Sequence, residues 1–348
     1  MRLIPKKKLI DFGINLLTHW SVPQGNARYI SQVAVETEAM GIHTHGLAVL
    51  LYYENVIPDE LNPKAEPILI KDRGASALID GNDGFGELAM KLAKELAETK
   101  AMFHGVALIA ARIVYWLGAI GVYLTSLVEK GFLAQLCAQT STCTDCAPFG
   151  GIDPKFSTNP VAFAFPTGGD PMISDFSTAS MSMGKAKRMA KSGAKAEEAV
   201  CMDKNGKLSD EPKVINEGGS LLFFGGAHYG YKGYGMSLWN EALTAVAGGD
   251  CNNPGVKTRQ SFNLTVVDPE LFAGRNYYFK EMKRFIAHMK QSRVLPGFNG
   301  IRLPGEKKFQ NLRESEAHGV KVEESMVDRL NQIARNNEIP LLSEFSPG

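Results

Sequence analysis

Apolar residues recur at intervals of three and four from Lys6 to Trp20 (KKKLIDFGINLLTHW) and again from Ala27 to Gly41 (ARYISQVAVETEAMG). That spacing predicts two amphipathic helices. Thr44 to Ile57 gives a third helix-like run, with Pro58 as its stop. From Ala75 the pattern changes to short apolar runs alternating with helical ones: SALID, then GELAMKLAKELAETKA, GVALIAAR, AIGVYLTSLVEK and FLAQLCA. Strands alternating with helices predict an α/β core. VAFAF (161–165) and MISDF (172–176) are two more short strands bounded by turn residues. Thr167 to Gly219 is rich in turns, with KNGK at Lys204 as a hairpin tip. Gly225 to Gly249 returns to helix, SFNLTVVD is a strand, and YYFKEMKRFIAHMKQ and ESMVDRLNQIARNN are helices.

The segment Val106 to Val128 is apolar and close to the ~20 residues a membrane span requires. Arg112 in its middle, Gly118, Gly121 and two different periodicities point instead to a buried strand followed by an amphipathic helix closed by Gly131. The basic start, MRLIPKKKLIDF, lacks the apolar core of a signal peptide.

At 348 residues, 44% hydrophobic and 22% charged, the chain can bury a full core. A net charge of +1 gives no electrostatic case for nucleic-acid binding. Five cysteines without a regular framework suit a reducing cytoplasm. Cys143-Thr144-Asp145-Cys146 is a CxxC, but no helix start or further metal ligands are visible nearby, so neither a redox nor a zinc role is expected.

Pro148 to Lys185 is the most informative stretch. A Gly-Gly turn leads through Ser-Thr-Asn-Pro into VAFAF, and MISDF runs into small hydroxyl residues ending at Gly184-Lys185. A strand end of this kind offers hydroxyls and close backbone approach to a polar ligand. No GxGxxG follows a strand, so the Rossmann fingerprint is absent.

This segment resembles the malate/L-lactate dehydrogenase family of non-Rossmann oxidoreductases. The P-x-GG turn (148–151), the STNP strand (157–162) and the D-x-S-T…GK strand end (175–185) match in order. GIHTHG (41–46) resembles the family's histidine signature and LIDGNDGFG (78–86) its strand-to-helix turn. YKGYG from Tyr231 resembles its K-G-x-G helix start, and PGFNGIRLPGE (296–306) its late loop. The resemblance implies a mixed sheet flanked by helices, with a helical segment at 1–74, an α/β cofactor-binding core at 75–304 and a C-terminal helical segment at 305–348 packed on the first. It also implies an NAD or NADP cofactor, a small-molecule substrate, and a homodimer with sites at the interface.

His45 is the candidate acid/base, because a ketone reduced by hydride becomes an alkoxide that imidazole can protonate. Its bland alternative is a helix-capping pair with His43. Thr44 and Trp116 are the candidate substrate contacts. Carried over as cofactor residues are Ser141, Asp175, Ser177, Thr178, Ser180, Lys232 and Pro304-Gly305-Glu306. A cation such as Lys232 at a helix start is unfavourable for the dipole unless it meets an anion.

Two departures from the family pattern bear on the substrate. Family arginines suited to a carboxylate are replaced by Val49 and Val56, and a family histidine by Trp116. Arg112, Lys185 and Arg259 are alternative cations. Valine and tryptophan would make a drier pocket, suited to a bulkier or less charged carbonyl or imine. The expected activity is hydride transfer between nicotinamide and a 2-hydroxy/2-oxo acid. A ketimine reductase and a nucleotide-binding paralogue without turnover stand as alternatives.

Overall fold

The computed structural model describes residues 1–57 and 59–345; the helix stop expected at Pro58 lies outside them. In chain order the elements are β1 (Arg2–Ile4), α1 (Lys6–His19), α2 (Gln24–Ala39), α3 (Ala48–Val56), β2 (Ile68–Arg73), β3 (Ser76–Gly84), α4 (Gly86–His104), β4 (Val106–Val114), a 3-10 turn (Ile120–Leu124) and α5 (Thr125–Glu129). There follow β5 (Leu133–Thr140), β6 (Val161–Phe165), β7 (Met172–Phe176), α6 (Met183–Ser192), β8 (Cys201–Met202), β9 (Leu208–Ser209), β10 (Ser220–Leu221), α7 (Gly226–Tyr229), α8 (Tyr231–Ala247) and β11 (Gln260–Val267). The chain ends with α9 (Arg275–Lys290), α10 (Glu306–His318), β12 (Val320–Val322) and α11 (Glu324–Asn336).

Seven strands form one sheet in the order β2-β3-β4-β11-β5-β6-β7. Only β3 and β4 run parallel; the other neighbours are antiparallel. The expected mixed-sheet α/β core is therefore present. Because β4, β11 and β5 are central, their apolar residues are buried on both faces, as with Ile109, Leu136, Phe262 and Leu264. A second core joins α1, α2 and α3 to α11 and the β1–β12 pair through Leu9, Phe12, Leu16, Leu50, Tyr53 and Leu330.

Several elements escaped the sequence. β2 pairs with β3, yet all six of its residues are exposed, so it carries no alternation to find. α6 lies in a segment expected to be turns, although Ser182 caps it by accepting from the Lys185 amide. The helix expected over Ala119–Gly131 is a 3-10 turn followed by one turn of α5, and it is almost wholly buried rather than amphipathic. It packs against β5, β6 and β7. No helix among the described residues is long and apolar enough to cross a membrane.

Candidate active site

The His45 turn is held by the end of α2. Glu38, buried, accepts from the Leu47 amide at 3.0 Å and pairs with His43 Nδ1 at 2.6 Å. Gly46 lies flat on this residue: a Cβ there would sit 2.8 Å from both Glu38 N and Glu38 Cα. The glycine of the histidine signature is thus required by helix contact. His43 is tied to Glu38, which leaves His45 as the ring of this pair that faces the site.

His45 Nδ1 lies 2.7 Å from Thr44 Oγ1, leaving Nε2 without a hydrogen bond among the described residues. The imidazole stands 5.5 Å from the Trp116 ring, and Trp116 meets Tyr52 edge-on at 5.0 Å. Burial lowers the His45 pKa, and the nearby Asp175 opposes that shift. Asp175 closes β7 and accepts from the Gly121 amide at 2.8 Å. Burial raises its pKa; Lys308, the Gly121 amide and His45 pull it back. Gly121 must lack a side chain, since a Cβ would lie 2.8 Å from that of Asp175. The two signatures, more than a hundred residues apart, therefore come near enough for each to act on the other's charge.

Trp116 is positioned by the strand-to-helix turn after β3. A Cβ at Gly86 would fall 2.8 Å from the Trp116 carbonyl oxygen and 2.7 Å from that of Tyr115. Trp116 lines a cleft of about 360 Å³ with Tyr52, Cys143, Lys187, Arg259 and Gln260. Arg259 stacks on Tyr115 at 4.3 Å and is anchored by Asp83. Of the other cations considered, Arg112 is paired with Asp80 at 3.0 Å, and Lys185 is exposed on α6 outside this lining. Val49 and Val56 do not reach the cleft; both are buried in the helical core. The expected drying of the pocket by Val49 is therefore corrected, while Trp116 does line it.

The strand end after Asp175 meets the start of α8. Gly233 packs so closely that a Cβ would lie 2.6 Å from the Thr178 carbonyl oxygen. The hydroxyls here are already committed as donors: Ser177 to Ala179 O, Thr178 to Thr158 O and Ser180 to Phe223 O. They retain acceptor lone pairs, not the donors a phosphate needs. Ser141 donates to Lys257 O and accepts from the Arg259 amide, so it fastens the 253–259 loop. Lys232 is exposed, in no ion pair among the described residues, and lies over Tyr229 and Tyr231 at 5.3 and 6.0 Å. It stands in the first turn of α8. Pro304 accepts from the Ile173 amide at 3.1 Å on the open edge of β7, Gly305 turns there with φ +97°, and Glu306 pairs with Lys290. That loop delivers α10, and with it Lys308, to the neighbourhood of Asp175.

Sequence reasoning did not find Lys308, Lys187 or the Gly121 amide. Lys308 stands two residues beyond the PGE motif, and Gly121 belongs to the WLGAIG segment. Lys187 follows from the α6 cap at Ser182. The CxxC thiols are both pushed up by burial, Cys143 to about 11 and Cys146 well above the usual thiol range, opposite to an activated thiolate.

A half-buried imidazole and a half-buried carboxylate that influence each other's charge, near an aromatic, cationic cleft on a mixed sheet without a Rossmann turn, suit an oxidoreductase. Residues 4–331 match the family model described as malate/L-lactate dehydrogenase. The chain belongs to that family. It is 29% identical to a malate dehydrogenase of Pyrococcus abyssi, over 95% of this chain and 94% of that one. It is also 29% identical to a Delta(1)-pyrroline-2-carboxylate/Delta(1)-piperideine-2-carboxylate reductase of Pseudomonas syringae pv. tomato, over 92% and 94%. The solved sulfolactate dehydrogenase from Methanocaldococcus jannaschii superposes with a TM-score of 0.87 at 27% identity, over 99% of both chains.

Proposed function

We propose that the protein transfers a hydride between a nicotinamide dinucleotide and the C2 atom of a 2-hydroxy/2-oxo acid, with His45 as acid/base. The observation that carries this is His45, 5.5 Å from the Trp116 ring that lines the cleft and within electrostatic reach of Asp175. The bound nicotinamide supplies or accepts the hydride. Lys232 would hold an anionic part of that cofactor, and the Asp175 strand end would give it close backbone approach. In the reducing direction His45 Nε2 delivers a proton to the developing alkoxide. Asp175 favours the imidazolium that must form first, against the burial that disfavours it. Arg259 and Lys187 supply positive charge for the substrate carboxylate. Nothing in these residues favours NAD over NADP.

The second reading is reduction of a cyclic ketimine. Trp116 in place of the family histidine favours it, because an imine nitrogen already carries or readily takes a proton and needs one fewer donor.

The α8 helix supports assembly as a homodimer. Its polar residues Ser237, Asn240, Glu241 and Thr244 are buried against the sheet, whereas Leu238, Trp239 and Val246 are 43%, 57% and 65% exposed. A helix with its apolar side outward calls for a covering partner. The five free cysteines are consistent with a reducing, cytoplasmic setting.

The test is NADH and NADPH titration followed by a turnover screen of 2-oxo acids against cyclic imino acids. Nucleotide binding lost in Lys232→Ala and kept in His45→Ala, with turnover lost in both, is expected. Binding without turnover on either panel supports the paralogue that has lost catalysis. Failure to bind either nucleotide refutes the oxidoreductase reading.

A further inference from the structure

A second cavity, about 520 Å³, opens on the far side of the segment that grips Asp175. Its walls come from α1, α2, α4 and the 3-10 turn with α5. Four charged side chains line it: Lys6, Glu36, Lys94 and Glu129. Among the described residues none of the four is in an ion pair. Among the described residues the only side-chain hydrogen bond from this set is Lys94 Nζ to Ser126 Oγ at 3.3 Å. Lys94 also lies over the Tyr29 ring at 5.8 Å.

Two ammonium and two carboxylate groups around a cavity normally collapse onto one another, since adjacent opposite charges attract and a water-filled gap weakens that attraction. Here they are held apart by the helices that carry them. Burial raises the Glu36 pKa and lowers that of Lys94; Lys6 and Lys94 oppose the first shift and Glu36 the second, yet no ion pair closes between them. The apolar remainder of the wall, Ile10, Val33 and Val122, accommodates a short side chain.

The cavity also has a mechanical link to the active site. Val122, Tyr123, Thr125 and Ser126 form one wall, and Gly121, adjoining them, donates to the Asp175 carboxylate at 2.8 Å. Tyr123 pins the same turn by donating to Leu117 O at 2.7 Å. A ligand that shifts this turn moves the group that tunes His45.

We infer that this cavity binds a small zwitterion, an α-amino acid, whose carboxylate meets Lys6 and Lys94 and whose ammonium meets Glu36 and Glu129, and that its occupancy modulates the Asp175–His45 pair. The binding claim stands apart from the proposed reaction; the modulation rests on it.

Calorimetric titration of the full chain with the proteinogenic α-amino acids, singly, reads the binding. At least one is expected to bind, and its N-acetyl and carboxamide derivatives are expected not to. Lys94→Met and Glu36→Gln should each weaken it by at least about tenfold, the loss of one charge-assisted contact. His45→Ala should bind it unchanged. Absence of heat from every amino acid at millimolar concentration overturns the inference. So does equal binding of the blocked derivatives, or binding that His45→Ala abolishes and Lys94→Met spares, which would place the ligand in the catalytic cleft. For the coupling, the amino acid should change kcat/KM in the wild type, and in Lys94→Met only at concentrations higher by at least about tenfold, with nucleotide affinity the same in both. An unchanged wild-type kcat/KM at saturation overturns the modulation.

Discussion

Glu87 sits in the first turn of α4, almost fully buried, and Tyr53 of α3 donates its hydroxyl to the carboxylate at 2.7 Å. This contact ties the helix that follows the His45 turn to the helix beside the sheet. Burial raises the Glu87 pKa from the ordinary 4.5 to about 7, although the Tyr53 hydrogen bond works against the shift. The folded state therefore holds a proton between those two values that the unfolded chain has released. Stability from this group is complete below 4.5 and is lost as pH rises through about 7. The full loss corresponds to ~3 kcal/mol, of which about 2.5 kcal/mol falls between about pH 5 and about pH 8. Glu87→Gln keeps the shape and removes the titration. Its amide leaves a buried donor unsatisfied, at a constant cost of about 1–3 kcal/mol, but that cost does not depend on pH. The expected result is a variant whose stability difference between the two pH values is smaller than the wild type's by about 2.5 kcal/mol. Urea unfolding at each pH, followed by tryptophan fluorescence, measures it. A variant that retains the wild-type pH dependence would show that Glu87 is ionised in the folded protein throughout, and the burial reasoning would fail.

Gly46→Ala should destabilise the protein by about 1–3 kcal/mol, because the methyl meets Glu38 backbone that cannot give way; thermal unfolding reads the loss, and an unshifted Tm counts against the contact. Asp175→Asn removes the group that opposes the depression of the His45 pKa. The limb of the reduction pH–rate profile that needs imidazolium should then move to lower pH, and an unmoved limb would remove Asp175 from the proton chemistry. Lys308→Met should raise the Asp175 pKa further, since the lysine lowers it, so Asp175 would lose charge at a higher pH and its support of His45 would fade earlier on acidification; the same profile measures this. Trp239→Glu should convert a dimer to monomer on light scattering, whereas an unchanged mass would leave the outward apolar side of α8 without that explanation.

The core strands were legible because each is an apolar run buried on both faces between turn residues, as VAFAF and SFNLTVVD are. β2 was not, since an edge strand with every residue exposed has no face to encode. α10 was hidden for another reason: its start coincides with PGE, which draws attention as a loop, while the helix behind it buries few residues. At the site, motifs named the residues that need a fixed backbone, such as Gly46 and Asp175. They could not name Lys308 or Lys187, whose placement comes from how α10 and α6 pack. Nor could motifs show that Ser141, Thr178 and Ser180 spend their donors on backbone carbonyls, because serine and threonine look the same in sequence whether free or engaged.

The valines at 49 and 56 are better understood as a change in where charge enters the site than as its loss. Both are buried among the helices of the N- and C-terminal segments, where an uncompensated guanidinium would be costly. Arg259, which lines the cleft with Trp116, has what such a cation needs: Asp83 to neutralise it and Tyr115 beneath its plane. Lys187 joins it from α6, where it also opposes the burial that raises the Asp145 pKa to about 6. Cationic and aromatic groups lining one cleft would orient a substrate by different means. An acid would present its carboxylate to Arg259 and its apolar body to Tyr52 and Trp116. Under the proposed reaction that arrangement would favour aliphatic or aromatic bulk beyond C2 over a second carboxylate on the Trp116 side.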